Sequence, residues 1–504
     1  MKYIKNIIYI ILLIPCISQA QGIVNYWHSG YQGWGGRPFG TSVINFINNQ
    51  PDTSWENRKM YFDWTVSQIS DSSGNLLFTS NGLWIADASN DTIQNGSGLI
   101  SRYNTIIEDT FGVQFPQANL VLRDVVQNNI YYLFHVNQDH IPGTYYSLHL
   151  YRTTIDMNLN GGLGGVIQKN EIVYSDTIQP GNLTACRHAN GRDWWIIILG
   201  YGYQSRFDNR IIKFLYTPFG LLGPYIQAIG SDSEVLGQIV FSQDGTKLAR
   251  YVGHASDLDV FDFDRCTGDL TFLFNVSIND STFAGGVAFS STGNTLYLSS
   301  GNYVYQLDMT AANIPSTFQT VAVFDGFYDT TFTSTSFKTQ FLSANLAPDG
   351  KIYINTTSGT TFMHVINYPD SLGTACDVCQ HCIKLPSVNY HSTPNYPNYF
   401  LGADTNSVCD SLSTGMFMHG YNHLNLKAWP IPTTSGSNIM LTYHTLNDKG
   451  LIELYNTHGT LLKTYPLPPW SQTQTIKLPE LAGGVYLLRL VSGERKGSVK
   501  IMVE

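Results

Sequence analysis

Between residues 60 and 400 one short pattern keeps returning: an alternating apolar run, a polar turn holding Gly or Asn, and a second apolar run. Phe241-Ser-Gln-Asp-Gly-Thr-Lys-Leu-Ala-Arg250 is the clearest copy. Phe289-Ser-Ser-Thr-Gly-Asn-Thr-Leu-Tyr-Leu298 and Leu346-Ala-Pro-Asp-Gly-Lys-Ile-Tyr-Ile-Asn355 repeat it, and Asp71-Ser-Ser-Gly-Asn-Leu-Leu-Phe78 is an earlier version. Period-two alternation broken by such a turn is the signature of a β-hairpin, and its recurrence marks a repeat architecture. Turn centres fall near Gly74, Asn129, Gly191, Gly245, Gly293 and Gly350, 48 to 62 residues apart. Each interval holds about four strands of ~5–6 residues plus loops. One such sheet cannot bury both faces, so neighbours must stack around an axis. Six turns, plus one blade shared between the start and end of the domain, predict an all-β β-propeller of about seven blades. Six or eight blades and an array of β-sandwiches are the competing architectures.

The pattern differs at both ends. Residues 22–60 carry Trp27, Trp34, a Gly-rich stretch and the alternating Ser42–Phe46, read as an opening strand and a long surface loop. Residues 410–432 read as a connector closing on Trp429-Pro-Ile-Pro432. Beyond it, Ile439–Tyr443, Leu451–Tyr455, Thr460–Tyr465, Thr473–Lys477, Val485–Leu490 and Lys496–Val503 are six short strands. Strands so short and so closely spaced predict a small immunoglobulin-like β-sandwich. The expected domains are therefore 1–20, 21–409, 410–432 and 433–504.

Composition sharpens this. Charged residues make up 13% of the chain, about half the usual ~25%. The formal charge is −9 and no basic cluster survives, which excludes a surface that tracks nucleic-acid phosphates. Residues 1–20 have the form of a signal peptide: Lys2 and Lys5, the apolar Ile7–Ile14, and the small-residue site Ser18-Gln-Ala20. Cys16 raises a lipoprotein alternative, which Pro15 and Ile17 fit poorly. The apolar run is too short to span a bilayer, and the longest later run is Trp194–Leu199, so the mature chain is expected to lack a transmembrane segment.

Six cysteines lie beyond the signal peptide: Cys186, Cys266, Cys376, Cys379, Cys382 and Cys409. An even number in an exported chain favours disulfides over metal ligation, with fifteen pairings open. A tight Cys379–Cys382 link is sterically awkward, which makes Cys266 or Cys409 better partners for some of them. Asp156-Met-Asn-Leu-Asn-Gly161 resembles half a calcium loop, but Ile167 stands where the closing Glu belongs, so a turn is expected. Asp257, Asp259, Asp262 and Asp264 crowd one short strand. Facing carboxylates there could serve a glycosidase, yet the following Arg265-Cys-Thr-Gly268 favours turn and ion-pair roles. Arg187 and His188 beside Asp193-Trp194-Trp195 read as a buried strand rather than a ligand contact. No catalytic, cofactor-binding or metal-binding residue is assigned.

The C-terminal piece resembles the type A sorting domain of the type IX secretion system of Bacteroidetes-like bacteria. The likeness rests on Ile452-Glu-Leu-Tyr-Asn-Thr-His-Gly459, Leu478-Pro-Glu-Leu-Ala-Gly-Gly-Val-Tyr486 and Gly497-Ser-Val-Lys-Ile-Met-Val503. It assigns sorting-signal roles to Gly459, Leu481, Gly484, Val485, Tyr486 and Lys500, and implies the secretion machinery as partner. The body resembles secreted propeller-like proteins of the same bacteria through Asp71–Phe78, Asn95-Gly-Ser-Gly-Leu99, Gly161-Gly-Leu-Gly-Gly-Val166 followed by Lys169-Asn170, Cys186-Arg-His-Ala-Asn-Gly-Arg-Asp-Trp-Trp195, Phe263-Asp-Arg-Cys-Thr-Gly268, Pro348-Asp-Gly-Lys-Ile-Tyr353 and Pro394-Asn-Tyr-Pro-Asn-Tyr-Phe-Leu-Gly402. That resemblance implies architecture and export, and no catalytic residues. The expectation is a non-enzymatic surface scaffold that binds a glycan or a surface protein. The alternative is a propeller-type glycoside hydrolase or lyase with carboxylates near the central channel.

Overall fold

The structure is a computed structural model. It describes residues 19–504 apart from 31–35, 100–111, 137–145, 203–207, 233–236, 254–256, 281–284, 332–334, 406, 410–423, 425, 444–445, 447–448, 458 and 494. The signal-peptide reading falls almost wholly outside the described residues. Two units are distinct, Met1–Leu412 and Ser413–Glu504. The described helices are short 3-10 turns, and none is long and apolar enough to cross a membrane.

The first unit is a seven-bladed β-propeller. Residues 184–228, 237–277, 285–323 and 341–389 each form an antiparallel four-stranded sheet, its strands following chain order from the axis outward. Residues 65–97 and 119–178 form two more such blades, whose outermost strands are bridged in parallel at Gln94 and Gly165. All six turn centres found in the sequence join the first strand of a blade to its second. At five of them the same bond closes the turn, as where Gly245 N donates to Ser242 O at 2.9 Å. Gly245 has φ of +71°, and a Cβ there would stand 2.6 Å from Cys186 Sγ. Both facts require glycine.

The remaining blade draws on both ends of the unit. Tyr26–Ser29, Thr41–Asn45 and Asp52–Glu56 form its three outer strands, so residues 22–60 hold three strands rather than one strand and a loop. The alternating Ser42–Phe46 covers most of the middle one and ends one residue past it. Its innermost place is taken by the chain returning at Thr393–Pro394, beside Tyr26–Ser29. That return makes its ladder bonds in parallel with Thr65–Val66 of the next blade, while Tyr396 Oη donates to Tyr26 O at 2.9 Å. Trp27, Ile44 and Phe46 pack against Tyr353, Met363 and Leu385 of the last blade and close the ring.

Blades adhere through apolar faces. Tyr251, Leu258 and Val260 of one meet Val287, Leu296 and Leu298 of the next. One ion pair is fully enclosed. Asp259, fully buried, takes the Arg250 guanidinium and also accepts from Ser231 N and Oγ at 2.9 Å and from Asn275 Nδ2 at 2.9 Å. Removing one member of such a pair strands a charge and costs ~3–5 kcal/mol. Asp259→Ala is therefore expected to lower the unfolding free energy read from urea titration by that amount, and a change under ~1 kcal/mol would place Arg250 in contact with water.

The second unit has two sheets around one core. Lys427–Trp429, Asn438–Thr442 and Thr473–Lys477 make the first; Leu461–Leu467, Gly450–Tyr455, Gly484–Ser492 and Arg495–Val503 make the second. Ile439, Leu441, Ile452, Leu454, Leu488, Leu490 and Ile501 fill the space between them. All six strands read from the sequence are present, within two residues at each end. A seventh, Lys427–Trp429, lies where a connector was expected, and Leu424 and Leu426 also enter this core. Their alternation is too short a run to stand out as a strand.

Candidate functional site

The axis is where the blades' first strands meet, and each presents an unpaired edge there. Side-chain amides cover those edges. Gln117 mimics a missing strand: its Nε2 donates to Ile239 O at 2.8 Å and its Oε1 accepts from Ile239 N at 2.9 Å. Gln238 does the same for two blades, donating to Ala344 O at 2.7 Å and accepting from Val287 N and Ala344 N. Asn395 Nδ2 donates to Asn119 O and Leu183 O, both at 2.8 Å. Unmet backbone groups in a buried place are costly, and these amides remove that cost. They are structural rather than ligand-directed.

The returning chain then runs along the axis from the end where blades connect to the end holding the Gly turns. His391 N donates to Asp63 O at the start; near the far end, Asn398 Nδ2 donates to Gln243 O at 2.8 Å. Arg265 donates to Gly402 O, and Asp404 N to Ala189 O at 2.8 Å. Just beyond, Cys409 is joined to Cys266. Space within the upper channel, lined by Trp64, Gln117, Gln238, Asn345 and His391, is about 30 Å³, room for about one water. At the Gly-turn end it widens to about 370 Å³, lined by Trp27, Gln243, Pro348, Tyr396, Asn398 and Phe400 among others. No carboxylate lines either space among the described residues.

One acid does sit close to the upper end. Asp63 is buried, its Oδ2 accepts from Gln114 Nε2 at 3.0 Å and its Oδ1 has no partner. Burial pushes its pKa up to about 7, against the smaller lowering by Gln114. His391, whose Nε2 lies 3.0 Å from Thr357 O, is pushed down to about 4 by burial. The folded protein thus holds the Asp63 proton between pH ~4 and ~7, where the unfolded chain has lost it. Taken by itself, Asp63 should lower stability as pH rises through that window, by at most about 4 kcal/mol, while His28, His364 and His391, which burial holds neutral, act in the opposite direction up to pH ~6.5. Compared with the unsubstituted protein in urea titrations at pH 5, 6 and 7, Asp63→Asn is expected to make stability rise more steeply with pH; an unchanged slope would show Asp63 already ionised.

The clusters singled out from the sequence are architectural. Asp262 pairs with Lys247 at 2.7 Å, Asp264 Oδ1 accepts from Cys266 N at 2.7 Å, and Asp257 accepts from Ser277 Oγ at 2.7 Å. Asp156 accepts from Asn158 N and Asn129 Nδ2, as in a turn. Trp194 and Trp195 are buried; Arg187 lies 4.0 Å over the Trp194 ring, and Trp195 Nε1 donates to Arg265 O.

Two cysteine expectations are corrected. Cys379 and Cys382 are bonded to each other, because His381 between them turns with φ of +43° and brings their Cα atoms to 5.7 Å. Cys186 and Cys376 are buried free thiols, each enclosed in an apolar interface between blades. Burial raises the Cys186 thiol to about 12, which leaves it unreactive. The residues to which the resemblance gives sorting-signal roles do not converge on one point. Gly459 occupies a turn with φ of +77°, Leu481 packs against the core, and Gly484, Val485 and Tyr486 open the penultimate strand. Lys500 is exposed on the last strand, opposite Leu487.

Residues 427–504 match the family described as secretion system C-terminal sorting domain. The second unit is a type IX sorting domain. It directs the chain out of the cell, to the surface or the medium, with the secretion machinery as partner. The match begins at the strand Lys427–Trp429, inside the stretch first read as a connector. No curated protein matches the chain in sequence. Among solved structures, it is similar to a Lactobacillus plantarum protein at 11% identity and a TM-score of 0.42, covering 74% of this chain and 98% of that one. A periplasmic gluconolactonase from Pseudomonas aeruginosa matches at 13% and 0.42, covering 73% and 98%. An exo-β-1,3-galactanase from Phanerochaete chrysosporium matches at 10% and 0.35, covering 84% and 98%. Likenesses this distant carry no argument about activity.

Proposed function

We propose that this exported propeller is a non-hydrolytic binding protein, a rigid scaffold that engages a glycan or a surface protein outside the cell. The observation that carries the reading is the filled axis. The returning segment and the amide clamps leave about 30 Å³ in the upper channel, and no pair of carboxylates faces the free space at either end among the described residues. A glycosidase needs two such groups roughly 5–10 Å apart across its substrate. Open space is concentrated instead at the Gly-turn end, among aromatic, proline and amide side chains, a lining suited to holding a neutral ligand.

The test exposes full-length protein to a panel of glycans and outer-membrane proteins, with reducing-end release assayed in parallel. Retention of a panel member without turnover is the expected result. Turnover of a retained glycan, or retention of nothing, would overturn the reading.

A further inference from the structure

We propose that the outward face of the sorting unit's four-stranded sheet is the surface the secretion machinery grips, and that the protein surface it meets there is apolar at its centre and acidic along one side. This concerns the second unit alone and is independent of what the propeller binds.

The face follows from the strand registers. Alternate residues of a strand point to opposite sides of its sheet. Ile452, Leu454, Leu488, Leu490 and Ile501 point inward to the core, so Glu453, Tyr455, Leu487, Arg489, Lys500 and Met502 beside them point out. Pairing sets these side by side: Leu461 opposes Tyr455, Tyr455 opposes Leu487, Leu487 opposes Lys500, and Val485 opposes Met502. An apolar band therefore crosses all four strands. Leu461, Val485, Leu487 and Met502 are 37% to 48% exposed within it. Directly opposed side chains are in reach of one another, so the band is one patch rather than scattered apolar residues, and exposed patches of this kind mark interaction surfaces. The other sheet of the unit offers less. Trp429 and Met440 oppose each other there, but the outward positions around them are Asn438, Thr442, Thr473 and Thr475, with Lys427 and Lys477.

Charge names the chemistry of the partner. Glu453 is the one carboxylate that the described strands place on this face, and it is engaged: Arg489 Nη1 lies 3.8 Å from it and Tyr455 Oη donates to it at 2.9 Å. Lys496 and Lys500 are both exposed on the last strand, on the same side. Residues 427–504, the stretch that matches the sorting family, carry eight Lys and Arg against five Asp and Glu, in a chain whose formal charge is −9. The signal is cationic and its cargo anionic. An acidic receptor is drawn to the first and repelled by the second, so charge alone gives it selectivity. The lysines orient the encounter and the apolar band holds it. An anionic lipid surface fits less well, since lipid-binding segments cluster about four or more basic residues. A second copy would bring two cationic rims together.

The experiment compares three variants of the full-length chain in a host that carries type IX machinery. Export is read by fractionation and immunoblotting, and folding by urea titration of each purified protein. Leu487→Gln with Met502→Gln breaks the band, and Lys496→Glu with Lys500→Glu reverses the rim. Met440→Gln with Lys477→Glu makes the matching change on the other sheet. The first two are expected to lower the exported amount about tenfold, with urea midpoints unchanged because the substituted side chains are exposed. The third should be exported at the normal level. Where the apolar pair loses its fold, the lysine pair decides alone. Normal export of a folded variant of the face would overturn the proposal, as would equal trapping of the third variant. Flotation with vesicles of equimolar phosphatidylcholine and phosphatidylglycerol, and sedimentation of the unsubstituted protein, read the other two occupants. Vesicle binding or dimerisation that Lys496→Glu with Lys500→Glu abolishes would give the face to a lipid surface or a second copy and overturn its assignment to the machinery.

Discussion

Export is expected to stop when residues 424–504 are removed, with the truncated chain accumulating folded in the periplasm. The cut is placed at Leu424 because Leu424 and Leu426 belong to the core of the sorting unit; leaving them would hang two apolar side chains on the propeller. The propeller keeps all of its own cores and both disulfides, so trapping rather than degradation is the outcome to look for. A second variant separates a folded signal from a linear one. Ile452 is fully buried between the two sheets, and an aspartate there would bury a carboxylate without a partner, several kcal/mol beyond what so small a core supplies. The positions to which the resemblance gives sorting-signal roles are spread from Gly459 to Lys500, on different strands and turns. Only a folded unit presents them together, so Ile452→Asp should trap the full-length chain as completely as the deletion. Fractionation followed by immunoblotting reads both. Normal amounts of either variant in the medium or on the surface would refute a folded export signal.

Much of the propeller could be read from one residue pattern because one physical event recurs: a first strand, a Gly turn needing a left-handed backbone, and a second strand. Gly74, Gly191, Gly245, Gly293 and Gly350 all have positive φ. Asn129 marks the same junction without it, since the third blade closes through Asp124 and its bonds to Val126 N and Gln127 N. The first blade was harder. Its three strands are short, and its inner partner arrives from more than 300 residues later, so no local period betrays it. The cysteines failed for a related reason. A Cys-x-x-Cys link depends on the backbone between its ends, and nothing in the residue types announced the positive φ at His381. The free thiols of Cys186 and Cys376 follow from burial between blades, a property of packing rather than of spacing.

The candidate site was least legible. Asn and Gln richness reads equally well as ligand contact or as turn chemistry, and the structure assigns Gln117, Gln238 and Asn395 to a third task, sealing strand edges at the axis. Trp27 gave no sign of its unpaired N–H, because an orphaned donor is visible only once every neighbour is in place. Phe400 lies in Pro394-Asn-Tyr-Pro-Asn-Tyr-Phe-Leu-Gly402, a motif that marked a resemblance. Its chemistry emerged when that motif proved to be the segment threaded along the axis.

Reducing the Cys266–Cys409 disulfide should cost the propeller about 5 kcal/mol, the chain-entropy figure for a loop of this length. The bond joins residues 143 apart, and it sits at the end of the returning segment. That segment has few strand bonds of its own: two residues pair with the second blade, and the rest is held by single contacts such as Asn398 to Gln243 and Arg265 to Gly402. Released at Cys409, it can peel from the Gly-turn end inward, taking Phe400 and Asn398 out of the lower cavity before the ring itself opens. Cys266→Ser with Cys409→Ser is therefore expected to lower the thermal midpoint and to weaken any ligand held at that cavity. Cys379→Ser with Cys382→Ser is the control, because that bond spans a separation of 3 and removes little entropy from the unfolded chain. Calorimetric melts of the two double variants, with and without ligand, decide it. Equal losses from both pairs would mean the clamp at Cys409 contributes no more than a local staple, and that ring closure does not depend on it.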